Sequence, residues 1–200
     1  DLPAALSNPP RAAFDGAVAE YRAAQSLHAD RAEASANLGT LEARLGHFGA
    51  AEKAYQRAIR LQPDIIPAYV NLADLYRASG RDDDGERVLR QALARQPDIS
   101  DLHYALGLLL VRRRRKDDAL TEIEKAAELA PDLPRYAYAR ALALDGMGQR
   151  AGALAVLEEA QQRFTGDREI LVALVELSAQ AGDREAAARW AEKLRALQTR

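Results

Sequence analysis

The sequence predicts an all-α solenoid of antiparallel helix pairs, and three observations support that prediction. Landmark residues recur along the chain with a period of about 34 residues. Within each period, apolar residues return at three- and four-residue spacing, which is typical of helices with one buried face. A glycine or a proline follows most of the predicted helices. Such a period indicates a repeat protein, in which each unit buries its apolar stripe against its neighbours.

Before the repeats begin, the chain has two segments of different character. Residues 1–9 are predicted to be an irregular lead-in because the opening DLPAALSNPP is rich in proline. Residues 10–31 are predicted to form a leading helix that starts near Pro10. This helix matches the second half of a repeat, since Phe14 and Tyr21 stand one period before Phe48 and Tyr55. A start in mid-repeat leads us to expect a longer parent protein.

Five repeats follow, at residues 32–65, 66–99, 100–133, 134–167 and 168–200. Each is predicted to contain two helices, at 32–45 and 49–61, 66–79 and 82–95, 100–113 and 117–129, 134–147 and 151–164, and 168–181 and 184–198. Small residues such as Gly39, Gly107 and Ala51 should let paired helices approach closely. The turn column contains Gly46, Gly80, Arg114, Gly148 and Gly182. Glycine ends a helix in the left-handed conformation at little cost, so Arg114 should cost about 1 kcal/mol there.

The repeated pattern resembles the tetratricopeptide repeat. It has LG in the first helix, a small residue early in the second helix, a large residue and an alanine after it, and a closing proline. The resemblance covers Ala32 to the C-terminus and implies a right-handed superhelix whose first helices line a concave wall. Local departures are Arg140 for the first-helix leucine, Arg114 for the turn glycine, Thr165 for the proline and Leu194 for an alanine.

A narrower resemblance concerns the setting of the chain. Runs such as AEYRAAQSLHADRAEASANLGTLEARLG and REILVALVELSAQAGDREAAARWAEKLRAL are similar to the C-terminal repeat region of bacterial multihaem c-type cytochromes that end in tetratricopeptide repeats. This resemblance implies a periplasmic parent protein, and without it a cytoplasmic location is expected. The haem-binding CxxCH motifs would lie upstream, because this sequence has no cysteine.

Composition and motifs argue against most catalytic and ligand-binding classes. The formal net charge is −2, with mixed signs, so nucleic acid is not an expected partner. The longest apolar run, 105–111, is too short to insert into a membrane. Three scattered histidines and no cysteine predict no metal site, and no phosphate-binding loop or Ser–His–carboxylate group is present. We therefore expect no catalytic residues, no metal, no cofactor and no enzymatic activity.

The basic run Arg112–Lys116 has two interpretations, which are ion pairing with nearby aspartates or a phosphate-binding patch. Its position favours pairing, because cations suit the end of one helix and Asp117 and Asp118 suit the start of the next. At the C-terminus, Trp190 is expected to pack in the core. The ends of the solenoid could also join copies of the chain into a homo-oligomer.

The expected function is a protein-interaction scaffold that binds a protein or peptide segment in the concave groove. The alternative is a partner-docking or assembly module of a multihaem electron-transfer protein. The candidate groove residues are Asn37, Asn71, Asp74, Arg77, Tyr104, Arg112 and Tyr138. The asparagines could hold a peptide backbone or simply face solvent, and the tyrosines could contact a ligand or pack against a neighbouring helix. Three arginines of the predicted groove wall favour a partner segment that carries acidic residues, and these are Arg77, Arg112 and Arg135.

Overall fold

The computed structural model describes residues 11–198, and this part of the chain is built from α-helices without β-strands. The helices are α1 (Arg11–Leu27), α2 (Ala32–Arg44), α3 (Phe48–Leu61), α4 (Ile66–Ala78), α5 (Asp82–Leu93), α6 (Ser100–Arg112), α7 (Lys116–Leu129), α8 (Pro134–Gly146), α9 (Arg150–Arg163), α10 (Arg168–Gln180) and α11 (Arg184–Gln198). The predicted all-α fold of helix pairs is confirmed, and the predicted lead-in at 1–9 lies outside the described residues.

The turns between paired helices adopt the backbone that the sequence predicts. Gly46, Gly80, Gly148 and Gly182 have φ angles of 78°, 71°, 80° and 82°. Arg114 takes the same left-handed conformation, with φ at 60°. Because the helix ends depend on these local signals, the predicted boundaries of the paired helices fall within two residues of the observed ones.

The chain divides into two compact units, with unit 1 ending at Val88 and unit 2 beginning at Leu89, inside α5. In unit 1, α2 packs against α1, α3 and α4. The core of unit 1 combines small and aromatic side chains, with Ala51, Ala58 and Ala68 fully buried and Tyr55 and Leu72 nearly so. The alanines let the helices approach, and the larger side chains fill the space between them.

In unit 2, each helix from α6 to α11 packs against the next, and α8 also contacts α10. The core of its second half is more aliphatic, and Leu157, Ile170, Leu171 and Leu174 are fully buried. Trp190 joins this core with 7% of its surface exposed, which confirms its predicted packing role.

Gly39 in unit 1 and Gly107 in unit 2 lie at close contacts between paired helices. A Cβ atom on Gly39 would lie 2.7 Å from the Tyr55 ring. A Cβ atom on Gly107 would lie 2.6 Å from Cγ1 of Ile123 and 3.3 Å from the Ala119 carbonyl oxygen. Both contacts are closer than a side chain tolerates, so the two LG motifs reflect packing.

Candidate functional site

The first helices of unit 2 expose large apolar side chains that the core does not use. Leu108, Val111 and Leu142 have 44%, 47% and 44% of their surfaces exposed. With the half-buried Tyr104 and Tyr138, they form what we call the apolar face. An apolar group of this kind is informative because large hydrophobic patches on soluble proteins often mark binding surfaces.

Helical geometry and the repeat together explain why these residues share a surface. Tyr104, Leu108 and Val111 are spaced by four and three residues on α6, so they lie on one side of that helix. Leu142 stands one period after Leu108, at the equivalent place on α8. The opposite side of α6 is committed to the core, since Leu102, Leu106, Leu109 and Leu110 are buried.

An aromatic and charged cluster lies at the N-terminal end of the apolar face. The rings of Tyr104 and Tyr136 are tilted by 51°, with centroids 5.1 Å apart. The hydroxyl of the buried Tyr136 donates to Oδ1 of Asp101 at 2.7 Å, and Arg135 forms an ion pair with the same carboxylate. Burial raises the pKa of Tyr104. The cluster fixes Tyr104, and Arg135 is paired within the chain rather than held free for a ligand.

Tyr138 and Arg112 occupy different environments on the same two helices. Tyr138 is partly buried and packs against the core of unit 2, as the packing alternative predicts. Arg112 is exposed in the last turn of α6. Only part of the Tyr138 ring is therefore accessible to a ligand.

A small hollow of about 90 Å³ lies between the apolar face and the basic turn that follows α6. Its walls include Val111 and Leu142 on the apolar side and Arg114 and Lys116 on the basic side. The Lys116 ammonium donates to the carbonyl oxygen of Gly146, at the end of α8. Within the described residues, Arg114 makes no ion pair. The hollow thus joins apolar contact area to an available positive charge.

The candidate residues of unit 1 form a polar set on α2 and α4. Asn37 is exposed and Asn71 is half-buried, and neither side chain makes a hydrogen bond within residues 13–197. Nε of Arg77 donates to Oδ1 of Asp74 at 3.1 Å, so these two charges compensate each other locally. The two asparagines of unit 1 therefore have amide groups without hydrogen bonds among the described residues, whereas Arg77 already has a carboxylate partner.

Two clusters of titratable residues in unit 1 join different parts of the chain by hydrogen bonds and ion pairs. The buried Glu42 receives hydrogen bonds from Nε and Nη2 of Arg22 at 2.7 and 2.9 Å, and Nδ1 of His47 lies 2.7 Å from Oε2. The Arg22 hydrogen bonds hold the pKa of Glu42 below its ordinary value.

One repeat later, the hydroxyl of Tyr76 donates to Oε1 of Glu52 at 2.8 Å, and Nη1 of Arg81 donates to Oε2 at 2.8 Å. The Arg81 guanidinium also lies 4.4 Å from the centre of the Tyr76 ring. Burial and the Glu52 hydrogen bond raise the pKa of Tyr76. Both clusters therefore use their polar groups in contacts within the chain.

Histidine is likewise engaged in local contacts. Nδ1 of His103 lies 2.6 Å from Oε2 of Glu122, and Nε2 lies 2.7 Å from the Pro97 carbonyl oxygen. In the part of the chain that the structure describes, no group of three or more His, Cys, Asp or Glu residues is placed to hold a metal ion. No helix among the described residues is both long and apolar enough to cross a membrane.

Leu108 and Leu142 stand at inner-wall positions of the repeat pattern, but neither they nor Val111 are among the candidate groove residues that the sequence predicts. The repeat columns contain a signal for these exposed apolar residues. Leu108 and Leu142 stand in the column that holds Asp74 and Glu176 in other repeats. Val111 stands in the column that holds Arg77 and Asp145. Large apolar residues in columns that hold charged or small residues in the other repeats indicate a local surface specialisation.

Comparison with known proteins identifies the repeats. Two family models described as tetratricopeptide repeat match residues 32–65 and 70–134. No curated protein sequence matches the chain.

Solved structures of similar fold include MamA, with 19% identity, a TM-score of 0.67, and coverage of 82% of this chain and 89% of MamA. YrrB, a tetratricopeptide repeat protein with an unusual peptide-binding site, has 20% identity and a TM-score of 0.63, and the match covers 90% of this chain and 92% of YrrB. PilF of Pseudomonas aeruginosa has 17% identity and a TM-score of 0.72, and the match covers 83% of this chain and 76% of PilF.

These likenesses show the same kind of helical repeat fold. The positive-φ turns at Gly46, Gly80 and Arg114 and the close contacts at Gly39 and Gly107 lie within the residues that the family models match. The chain therefore contains tetratricopeptide repeats.

Proposed function

We propose that this chain is a non-enzymatic scaffold that binds a protein or peptide segment on the first-helix face of its repeats. The observation that carries the proposal is the exposure of Leu108, Val111 and Leu142 on α6 and α8. Burying these side chains against a partner would contribute roughly 25 cal/mol for each Å² of apolar surface removed from water.

The chemistry around the apolar face favours a segment that combines apolar and acidic residues. Arg114 borders the hollow beside Val111 and Leu142 and makes no ion pair within the described residues. Arg112, on α6, adds a second positive charge to the same unit. An acidic side chain beside an apolar anchor would meet both features, and the charge would mainly affect the association rate and specificity.

Asn37 and Asn71 are proposed to add backbone contacts in unit 1. An asparagine amide can donate to a carbonyl and accept from an N–H, so it suits an extended peptide. Their side chains make no hydrogen bonds within the described residues, which supports this role. Asp74 and Arg77 would then border the contact as a compensated pair, and Tyr104 and Tyr138 would supply ring edges in unit 2.

The test is selection of peptides from a random display library against the native chain. Selected peptides are then measured by titration calorimetry against the double variant Leu108→Ser and Leu142→Ser. The matched control is Leu61→Ser, because Leu61 is also 44% exposed but lies at the end of α3. We expect binding to weaken at least about tenfold in the double variant, since each buried leucine is worth about 1.5–3 kcal/mol.

Peptides that bind the native chain and the double variant equally would contradict this placement of the site. An equal loss of peptide affinity in the Leu61→Ser control would also contradict it. Replacing any exposed leucine with serine would then weaken binding, wherever that leucine lies. Asn37→Ala with Asn71→Ala tests the polar contribution of unit 1 in the same assay.

The accessory role in a multihaem electron-transfer protein is a second hypothesis, and it rests on sequence resemblance alone. Its test is the coding sequence upstream of this segment, where several CxxCH motifs would support it. An upstream sequence without such motifs would reject it.

A further inference from the structure

We infer that unit 2 has a second binding site, separate from the apolar face, which accepts a lysine or arginine side chain of a partner protein. The site is a pocket of about 430 Å³ walled by the second helices α7 and α9 and by α8. A pocket of this volume lies within the range of ordinary ligand sites. We call it the Arg140 pocket, after the residue that creates it.

The pocket results from one departure in the repeat pattern. The first-helix leucine column contains Leu38, which is half-buried, and Leu72, Leu106 and Leu174, which are 1%, 0% and 0% exposed. In the fourth repeat, Arg140 stands in this column, and 40% of its side chain is exposed. A guanidinium cannot fill the apolar space that a leucine fills, because burying its charge is costly. Arg140 instead turns to Glu124, with Nε 3.1 Å from Oε1, and the space beside it stays open.

The apolar side chains of the lining, which we call the floor, suit the hydrocarbon part of a long side chain. The floor includes Ala127, Ala137, Val156, Ala160 and Phe164. Lysine and arginine commonly lay their methylene stems on such surfaces while their charged ends remain near water. The same floor would also hold an apolar residue next to the basic one.

The charges at the rim favour a cation. The charged residues of the lining, which we call the rim, are the acids Glu124, Glu128 and Glu159 and the bases Arg140 and Arg163. Arg140 is compensated by Glu124, and Nη2 of Arg163 lies 2.9 Å from Oδ1 of Asp132.

The remaining acids are not compensated to the same degree. Glu128 has only the exposed Lys125, at 3.5 Å, and among the described residues Glu159 has no ion pair. Both bases at the rim therefore have an acidic partner, whereas Glu159 has no basic partner among the described residues. A basic side chain over the apolar floor would place its charge beside Glu128 and Glu159.

This site differs from the apolar face in place and in chemistry. Arg140 lies two residues from both Tyr138 and Leu142 on α8, which places it on another side of that helix. The apolar face has basic neighbours, whereas the Arg140 pocket has an excess of acids. One partner segment with separated acidic and basic parts, or two partners, could therefore engage unit 2.

The test is a titration of the isotope-labelled chain with acetyl-leucyl-arginine amide, followed by amide chemical shifts in two-dimensional NMR. We expect saturable shifts at Ala127, Ala160 and Phe164. Acetyl-leucyl-glutamate amide should cause none, because the rim would repel it. Glu159→Gln should weaken binding by up to about fivefold, as expected for one exposed charge pair. Glu192→Gln, an exposed glutamate on α11, is the matched control and should change nothing.

Arg140→Leu provides a variant that should fold well and yet lose the site. Leucine restores the residue of the column, so we expect a raised unfolding midpoint together with loss of the shifts. Absence of saturable shifts up to the solubility of the peptide would overturn the inference. Equal shifts with the glutamate peptide, or unchanged binding in Arg140→Leu, would also overturn it. Free arginine that binds as well as the peptide would contradict recognition of a protein segment. None of these outcomes depends on the apolar face, which Arg140→Leu leaves intact.

Discussion

Unit 1 and unit 2 fill the same column of their first helices in chemically opposite ways. In unit 1 the column holds Glu42 and Tyr76, which join hydrogen-bonded clusters with arginines. In unit 2 it holds Leu110 and Leu144, which are 0% and 7% exposed and pack in apolar surroundings, followed by the small buried Ser178. The repeat thus determines at which position the first helix contacts its neighbours, but this contact can be either polar or apolar.

The difference matters because the two kinds of contact respond to different conditions. Apolar burial is insensitive to pH and depends on how well the side chain fills its space. An ion pair with hydrogen bonds depends on the charge state of each partner. In this column, the Glu42 contact of unit 1 should therefore respond to acid, and the Leu110 and Leu144 contacts of unit 2 should respond to loss of volume.

The largest expected effect is that of Leu110→Ala in unit 2. Removing a fully buried leucine should destabilise the chain by about 2–5 kcal/mol, because it leaves a cavity. Urea unfolding followed by circular dichroism measures the loss. Leu108→Ala on the same helix is the control and should change stability by less than about 0.5 kcal/mol, since Leu108 is exposed. Similar losses in the two variants would contradict the assignment of opposite sides of α6.

Glu42→Gln should have the next largest effect, and it should act on unit 1. The substitution removes the charge that accepts two hydrogen bonds from Arg22, and hydrogen bonds to charged groups are worth about 1.5–3 kcal/mol. Hydrogen exchange should show faster opening of α1 and α2. Glu33→Gln, an exposed glutamate on α2, is the control. Unchanged protection of α1 in Glu42→Gln would show that this cluster does not hold the helix.

The same residue predicts a dependence on pH. Arg22 holds the pKa of Glu42 below its ordinary value of 4.5, so the carboxylate binds protons less readily in the folded chain. Its stabilising contribution is therefore complete above about pH 4.5 and is lost as the pH falls through the lower, folded pKa. Urea midpoints measured from pH 7 downward should decline more steeply in the native chain than in Glu42→Gln. Parallel curves would refute the role of this carboxylate.

The smallest expected effect concerns the turns. Arg114 has φ at 60°, whereas the equivalent turns of unit 1 use Gly46 and Gly80. Arg114→Gly should stabilise the chain by about 0.5–1 kcal/mol, because glycine adopts this conformation without strain. The reciprocal change Gly80→Ala should destabilise it by a similar amount, since φ is 71° there and space is open. Thermal unfolding measures both, and shifts of the same sign would contradict the argument.

Much of the fold could be predicted because its signals are local and repeated. The turn glycines, the left-handed Arg114 and the close approach at Gly39 follow from columns that recur at one period. The candidate site was predicted less completely. The sequence predicts Tyr104 as a groove residue, but it does not predict that Tyr104 packs against Tyr136. It predicts a charge at Arg135 that favours an acidic partner, but it does not predict the ion pair between Arg135 and Asp101. These contacts depend on which rotamers neighbouring helices permit, and column positions do not encode that choice.

The sequence by itself determined the helix boundaries, the turn conformations and the pairing of helices, because each depends on residues close in the chain or repeated at one period. Only the tertiary structure decided that Glu42 is buried beside Arg22, that Tyr104 packs against Tyr136 and that Arg140 opens a pocket. Each of these outcomes depends on side chains far apart in sequence that compete for the same space or charge. Packing and electrostatic compensation between helices settle that competition, so it becomes visible only when the helices are placed together.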